Sequence, residues 1–162
     1  MKTLLIFRHA KSSWDDPNLP DQERPLSPRG RKDAPRVGKL LHKQELLPDL
    51  VLCSSALRTR QTAELALKEA GYTREVRVVD ELYAAAPEAI LEALATLPDA
   101  VQRVMVIGHN PGLEELLFYL TGERQPLPTA ALAQIDLPIQ SWSEMRAAPK
   151  GVLVGIWRPK EL

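Results

Sequence analysis

The chain is short of cysteine, of excess charge of either sign and of long apolar runs, and each shortage closes off a class of protein. Cys53 is the one thiol among 162 residues, so neither an internal disulfide nor a cysteine cluster for metal can form. Lys plus Arg and Asp plus Glu both number 21. Without a global basic field, no nucleic acid or membrane surface is expected as a partner, and any anion site has to be local. No run approaches the ~20 apolar residues of a membrane span. The N-terminal MKTLLIFRHAK has too short an apolar stretch for a secretory signal, so a cytoplasmic location is expected. Metal-ligand spacings such as HExxH and CxxC are missing, as are internal repeats and low-complexity tracts; no metal and no cofactor is expected. What the chain does have is proline, 14 residues of it, which implies many stiff loops. The length predicts one domain spanning residues 1–162, able to bury roughly two thirds of its unfolded surface.

Short β-branched or leucine-rich runs alternate with longer segments of helical period, the pattern of a three-layer α/β/α domain with a mostly parallel central sheet. Thr3 to Phe7 is the first expected strand, followed by a polar, proline-rich loop, AKSSWDDPNLPDQERPLSP. Long loops in compact domains are often functional. Ser27 and Pro28 form a helix start, as cap and first helical residue, for a helix to about Lys43. Leu50 to Cys53 is a strand, and Ser55 is the expected cap of a helix through Ala70 that Gly71 stops. Val76 to Val79 predicts a strand, Pro87 to Leu97 a helix with Ile90, Leu91, Leu94 and Leu97 on one face, and Arg103 to Gly108 a buried strand. Asn110-Pro111-Gly112 turns into a helix reaching about Leu120. Two more strands are expected near Ala131 to Leu137 and Gly151 to Trp157.

In open parallel sheets the reactive crevice lies outside the carboxyl ends of the strands. Three strand ends carry chemistry-bearing residues there: Arg8-His9 after the first, Arg58 on the helical turn after the second, and His109 after RVMVIG. An Arg-His pair alone means little; three strand ends delivering two arginines and two histidines to one rim mean more. His42, near the end of a predicted helix, reads as a surface residue, and Arg60 as a solvated charge.

Taken in order, LLIFRHAKS, RPLSPRG, SSALRTRQTAE and VIGHNPG resemble the histidine phosphatase superfamily, phosphoglycerate mutase-like in fold, and most of all its small SixA-type phosphohistidine phosphatases. The likeness runs from Thr3 to about Gly122, with a further stretch around Thr129 to Leu137. It implies that His9 is the nucleophile, that Arg8 and Arg58 bind phosphate, and that His109 is the second histidine of the pocket. Ala10 departs from the commoner pattern, standing where many members have glycine.

These residue types suit phosphoryl transfer on chemical grounds too, since the reaction asks a protein mainly for in-line positioning and for stabilised charge on the equatorial oxygens. Guanidinium forks supply the second. A neutral imidazole whose other N–H is held by a carbonyl supplies an aimed nucleophile. His109 is expected to donate to the phosphoryl group, and the helix starting near Gly112 to point backbone N–H groups at it. Lys11 and Arg24 are further candidates for phosphate or substrate contact. Asp15, Asp16, Asp21 and Glu23 read as turn and solubility residues.

Glu81 follows the strand VRVV, where larger relatives with alkyl phosphate substrates keep a general acid; Asp80 is the alternative. An alkoxide needs a proton to leave, whereas an imidazole with a pKa of about 6.5 is a far better leaving group. The expected activity is therefore hydrolysis through a phosphohistidine intermediate, with phosphohistidine on a protein as substrate. A phosphatase of small phosphorylated metabolites with the same core is the second reading, and a non-catalytic phosphate-binding module the third.

Overall fold

The computed structural model describes all 162 residues. Six strands form one sheet: β1 (Lys2–Arg8), β2 (Leu50–Ser54), β3 (Val76–Val79), β4 (Arg103–Gly108), β5 (Leu132–Leu137) and β6 (Val152–Trp157), in the order β3-β2-β4-β1-β5-β6. The first four of that order pair in parallel, and β5 pairs antiparallel with both β1 and β6. Four α-helices fill the connections: α1 (Pro28–Lys43), α2 (Leu57–Ala70), α3 (Pro87–Ala95) and α4 (Gly112–Thr121).

Strand alternation splits the apolar residues into two cores, one on each face of the sheet. Leu4, Ile6, Val104 and Val106 pack with Ile90, Leu94, Leu113 and Leu117 of α3 and α4. Leu5, Phe7, Met105 and Ile107 pack with Val37, Leu41, Ala66 and Leu67 of α1 and α2. Because β1, β2 and β4 are buried on both faces, they read as continuous apolar runs rather than alternating ones. The result is the three-layer α/β/α architecture.

Two helix boundaries differ from expectation. The cap of α2 is Ala56, without a side-chain bond, while the Ser55 hydroxyl accepts from Gln22 Nε2 at 2.7 Å. The local capping work falls to Ser54, whose Oγ accepts the Ala56 N–H at 3.3 Å. Helix α3 ends at Ala95 rather than Leu97, although Leu97 stays buried in the same core. Ser27 caps α1 as expected, accepting from Gly30 N at 3.1 Å.

Candidate active site

β4 lies between β1 and β2 and is parallel to both, so the carboxyl ends of these strands emerge side by side. A cavity of about 350 Å³ opens there, lined by Arg8, His9, Lys11, Ser12, Trp14, Asp21, Arg24, Arg58, Ala84, His109, Asn110 and Thr129. All six expected residues other than Glu81 are in this wall. Glu81 is exposed and lines a different cavity, with Arg77, Val79, Glu92 and Leu97.

His9 is only 7 % exposed and its backbone is pinned on both sides. Its N–H donates to Gly108 O at 3.1 Å and its carbonyl accepts from Ala130 N at 2.9 Å. The next amide, Ala10 N, donates to Thr62 Oγ1 at 2.9 Å, and the Ala10 methyl is buried among α1 and α2. These contacts aim the Ala10 carbonyl back at the ring, where Nδ1–H donates to it at 2.8 Å. Nε2 is therefore left with its lone pair free. Burial is the main cause that pushes the His9 pKa down to about 3, helped by His109, Arg58 and Arg8 and opposed by the Ala10 hydrogen bond. The ring is neutral at pH 7, and a neutral imidazole with one free nitrogen is a nucleophile.

His109 stands with its ring centroid 5.3 Å from that of His9. Its Nε2 lies 2.7 Å from Ser54 Oγ and its Nδ1 3.5 Å from Arg58 Nη2. A guanidinium can only donate, so Nδ1 is the acceptor and Nε2–H donates to the serine. Burial and the charges of Arg58 and Arg8 lower its pKa to about 4, against a smaller opposing pull from Asp21. The pocket thus holds two neutral histidines between two cations.

Arg58, on the first turn of α2 and 6 % exposed, donates through Nη1 to Asp21 O at 2.7 Å and through Nη2 to Asp21 Oδ2 at 3.0 Å. Arg8 Nη1 donates to Leu127 O at 3.0 Å. The Nε groups of both arginines are buried with no acceptor. An unpaired buried donor is costly unless something nearby compensates it, and an anion in the pocket supplies the missing counter-charge.

Three further residues escaped the sequence reading. Asp21, which reads as a turn residue, is the hub of the rim: its carboxylate accepts from Tyr83 Oη at 2.5 Å, Arg24 Nε at 3.1 Å and Arg58 Nη2 at 3.0 Å. The tyrosine hydrogen bond, then the two arginines, hold its carboxyl well below the usual carboxylate range despite some burial. Tyr83 also meets the His109 ring edge-on at 5.6 Å. Trp14 lies over Arg24, with its ring centroid 3.5 Å from the guanidinium carbon. The three-residue spacing of Asp21 and Arg24 within one short turn was the available signal; no pattern pointed to Trp14 or Tyr83.

Arg24 and Lys11 both reach the cavity wall but differ in freedom. Lys11 is exposed, whereas Arg24 is buried and also spends Nη1 on Ser12 Oγ at 2.8 Å and Ser13 O at 3.2 Å. The start of α4 does not line the cavity: a Cβ on Gly112 would stand 2.0 Å from Ala85 O, so that end of the helix is covered by chain. No residue of α4 is in the cavity wall, and the Leu113 N–H donates to His109 O at 3.0 Å.

A paired arginine cradle around a neutral, aimed histidine has the chemistry that holding a phosphoryl group calls for. Residues 4–86 match the model of the histidine phosphatase superfamily, branch 1, and the chain belongs to that superfamily, which places it among the phosphatases. An uncharacterized chloroplastic protein of Arabidopsis thaliana is 34 % identical over 154 residues, covering 88 % of this chain and 70 % of the relative. Among solved structures, one from Agrobacterium tumefaciens described as a candidate phosphohistidine phosphatase SixA superposes with a TM-score of 0.84 at 30 % identity, covering 98 % of both chains. The protein histidine phosphatase SixA complexed with tungstate gives 0.83 at 25 % identity, covering 98 % of this chain and 97 % of that one.

Proposed function

We propose that this chain is a metal-independent phosphohistidine phosphatase of the SixA type, a single catalytic domain that takes the phosphoryl group from a histidine on a protein and releases it as inorganic phosphate. In the first step His9 Nε2 attacks phosphorus in line while the P–N bond of the substrate breaks, and the substrate imidazole, which already carries a proton on its other ring nitrogen, leaves as the neutral ring. In the second, water attacks the phosphoryl group on His9, and His9 leaves as the neutral ring. Arg8 and Arg58 hold the equatorial oxygens throughout. The observation that carries the reading is the hydrogen bond from His9 Nδ1–H to Ala10 O, which fixes the tautomer and leaves Nε2 facing a pocket with two arginines.

His109 has a second task on this reading. A phosphoryl dianion beside Arg58 raises the proton affinity of His109 Nδ1, and the protonated ring then donates to a phosphoryl oxygen. The site starts proton-poor and takes up a proton together with its anion. A tetrahedral oxyanion, such as the tungstate bound to the related SixA structure, is the natural probe.

A protein substrate is favoured over a small metabolite by the way the rim is made. All four α-helices pack against the two faces of the sheet, which leaves the mouth of the pocket to the loop that carries the exposed Lys11 and Trp14. A protein surface can approach such a mouth. The lone buried Cys53 and the balanced charge suit a cytoplasmic enzyme.

The test is to trap the intermediate. Brief incubation with a labelled aryl phosphate, followed by acid-labile peptide mapping, places the label on His9, and His9→Ala abolishes both label and turnover. Phosphate released by His9→Ala at the wild-type rate overturns the mechanism. A histidine-phosphorylated protein domain set against a panel of sugar and glycerate phosphates then decides the substrate class.

A further inference from the structure

We infer that Trp14, braced by Arg24, is the leaving-group subsite of this pocket: a fixed aromatic platform on which the imidazole ring of a phosphohistidine stacks while its phosphoryl group sits at His9. The inference rests on the phosphatase reading above and adds to it the part of the site that tells one leaving group from another.

The chain has three tryptophans, and their environments differ. Trp142 is completely buried and donates through Nε1 to Val101 O at 2.7 Å. Trp157 is half-buried against the core. Trp14 is 70 % exposed and yet belongs to the wall of the same cavity as His9, Arg58 and His109. A scattered surface apolar residue needs no explanation; an indole at the mouth of a small, charged pocket is better placed to meet a ligand than to stabilise the fold.

The indole is also held still. The Arg24 guanidinium covers one face, at 3.5 Å from the ring centroid, and it is only 7 % exposed. Its Nε is committed to Asp21 Oδ1 and its Nη1 to Ser12 Oγ and Ser13 O. The backbone leading into Trp14 is tied as well, through the bridge between Ser12 and Leu26 and through Ser13 N donating to Pro25 O at 2.8 Å, and just beyond it Asp15 N donates to Ser13 Oγ at 3.1 Å. Arg24, itself part of the cavity wall, therefore braces the indole with a guanidinium whose Nε and Nη1 are already committed. Such bracing lowers the entropy lost when a second ring settles on the open face.

The size and chemistry of the cavity select the guest. About 350 Å³ lies at the small end of ligand sites, room for a phosphoryl group and one compact ring. An imidazole offers a π-face to the indole, whereas an alkyl chain or a sugar edge offers none. Trp14 takes no part in the exchange of the P–N bonds; it sets where the departing ring lies.

The experiment uses the full chain and three substrates with a P–N bond: a histidine-phosphorylated protein domain, free phosphohistidine, and phosphoramidate, which has no ring. Trp14→Ala is expected to lower kcat/KM about tenfold for the first two, mainly through KM, while phosphoramidate loses less than twofold. Trp14→Phe restores most of the loss. Equal losses on all three substrates overturn the inference, because the effect is then on the fold or on His9. A loss on the protein domain alone also overturns it, and assigns Trp14 to contact with the protein surface instead. Failure of the wild-type chain to cleave any of the three counts against the phosphatase reading itself and is distinguishable from both.

Discussion

The floor of the pocket and its rim are built from different kinds of structure. The floor consists of Arg8, His9, Arg58 and His109, each within a few residues of the carboxyl end of a buried strand. Its side chains inherit their positions from sheet register and two packed cores. The rim consists of Lys11, Trp14, Asp21, Arg24 and Ala84, which come from irregular chain and a short turn. Its order comes from side-chain bonds, with Asp21 joining Tyr83, Arg24 and Arg58. On the proposed reading the floor does the chemistry and the rim selects what is cleaved, so changes in the two regions should separate in kcat and KM.

The largest effect belongs to the floor. Arg58→Ala removes a fork donor from the charge that develops on the phosphoryl oxygens and is expected to cut kcat by about 10²–10³-fold, the scale of losing one preorganised donor. Arg58→Lys recovers only part of this, because an ammonium cannot bond two acceptors with the same geometry. Steady-state kinetics with an aryl phosphate measures it, and a loss confined to KM would mean that Arg58 binds ground state and transition state alike.

The second prediction concerns protons on the floor. In the free protein His9 and His109, with pKa values of about 3 and 4, should stay neutral as pH falls through 6.5, the range in which an ordinary histidine charges. Both shifts are downward, so the unfolded chain binds more protons than the native one below pH 6.5, and these two groups lower stability as pH falls from there towards 4. Tungstate is expected to raise the His109 pKa back towards the ordinary histidine range, with measurable proton uptake on binding. Histidine NMR titration with and without tungstate checks both statements; a His109 midpoint near 6.5 in the free protein breaks the picture of a proton-poor floor.

Floor and rim also differed in how far the sequence disclosed them. A strand end is legible because apolar periodicity marks the strand and the next residue is carried to the crevice; β1, β2 and β4 all show this. Helix caps were less legible, since Ser54 and Ser55 are chemically equivalent and only tertiary contacts decide that one turns to Ala56 and His109 and the other to Gln22. The rim was least legible. Asp21 lies 37 residues from Arg58 in sequence and Tyr83 lies 62 from Asp21, and no local pattern connects residues that meet only through chain folding.

A third prediction tests the rim where it touches the floor. Asp21 places a carboxylate on the same Arg58 fork that an oxyanion needs, so Asp21→Asn should tighten tungstate binding about tenfold, of the order expected for one unit charge a few ångströms away in a partly screened site. The Asp21 main-chain carbonyl still holds Arg58 Nη1 in this variant. Weaker binding would mean that the carboxylate orients the fork more than it competes for it. An isothermal titration at low and high salt separates the two, because only the competition weakens with screening.

The smallest effect is expected at Glu81, and it draws the boundary of the site. Its side chain belongs to the cavity between β3 and α3, with Arg77, Val79, Glu92 and Leu97, and is absent from the wall that holds His9. A general acid has to come within hydrogen-bond reach of the leaving atom, directly or through one water. Glu81→Gln should therefore change kcat by less than twofold with a phosphohistidine substrate, and the pH profile should keep its shape. An imidazole can depart without a protein-borne acid, which is why a pocket without this carboxylate fits that substrate. If alkyl phosphates prove to be good substrates and lose their turnover in Glu81→Gln, the turn carrying Glu81 must swing towards the phosphoryl group during catalysis. Substrate selection would then reside beside β3 rather than at the rim that carries Trp14.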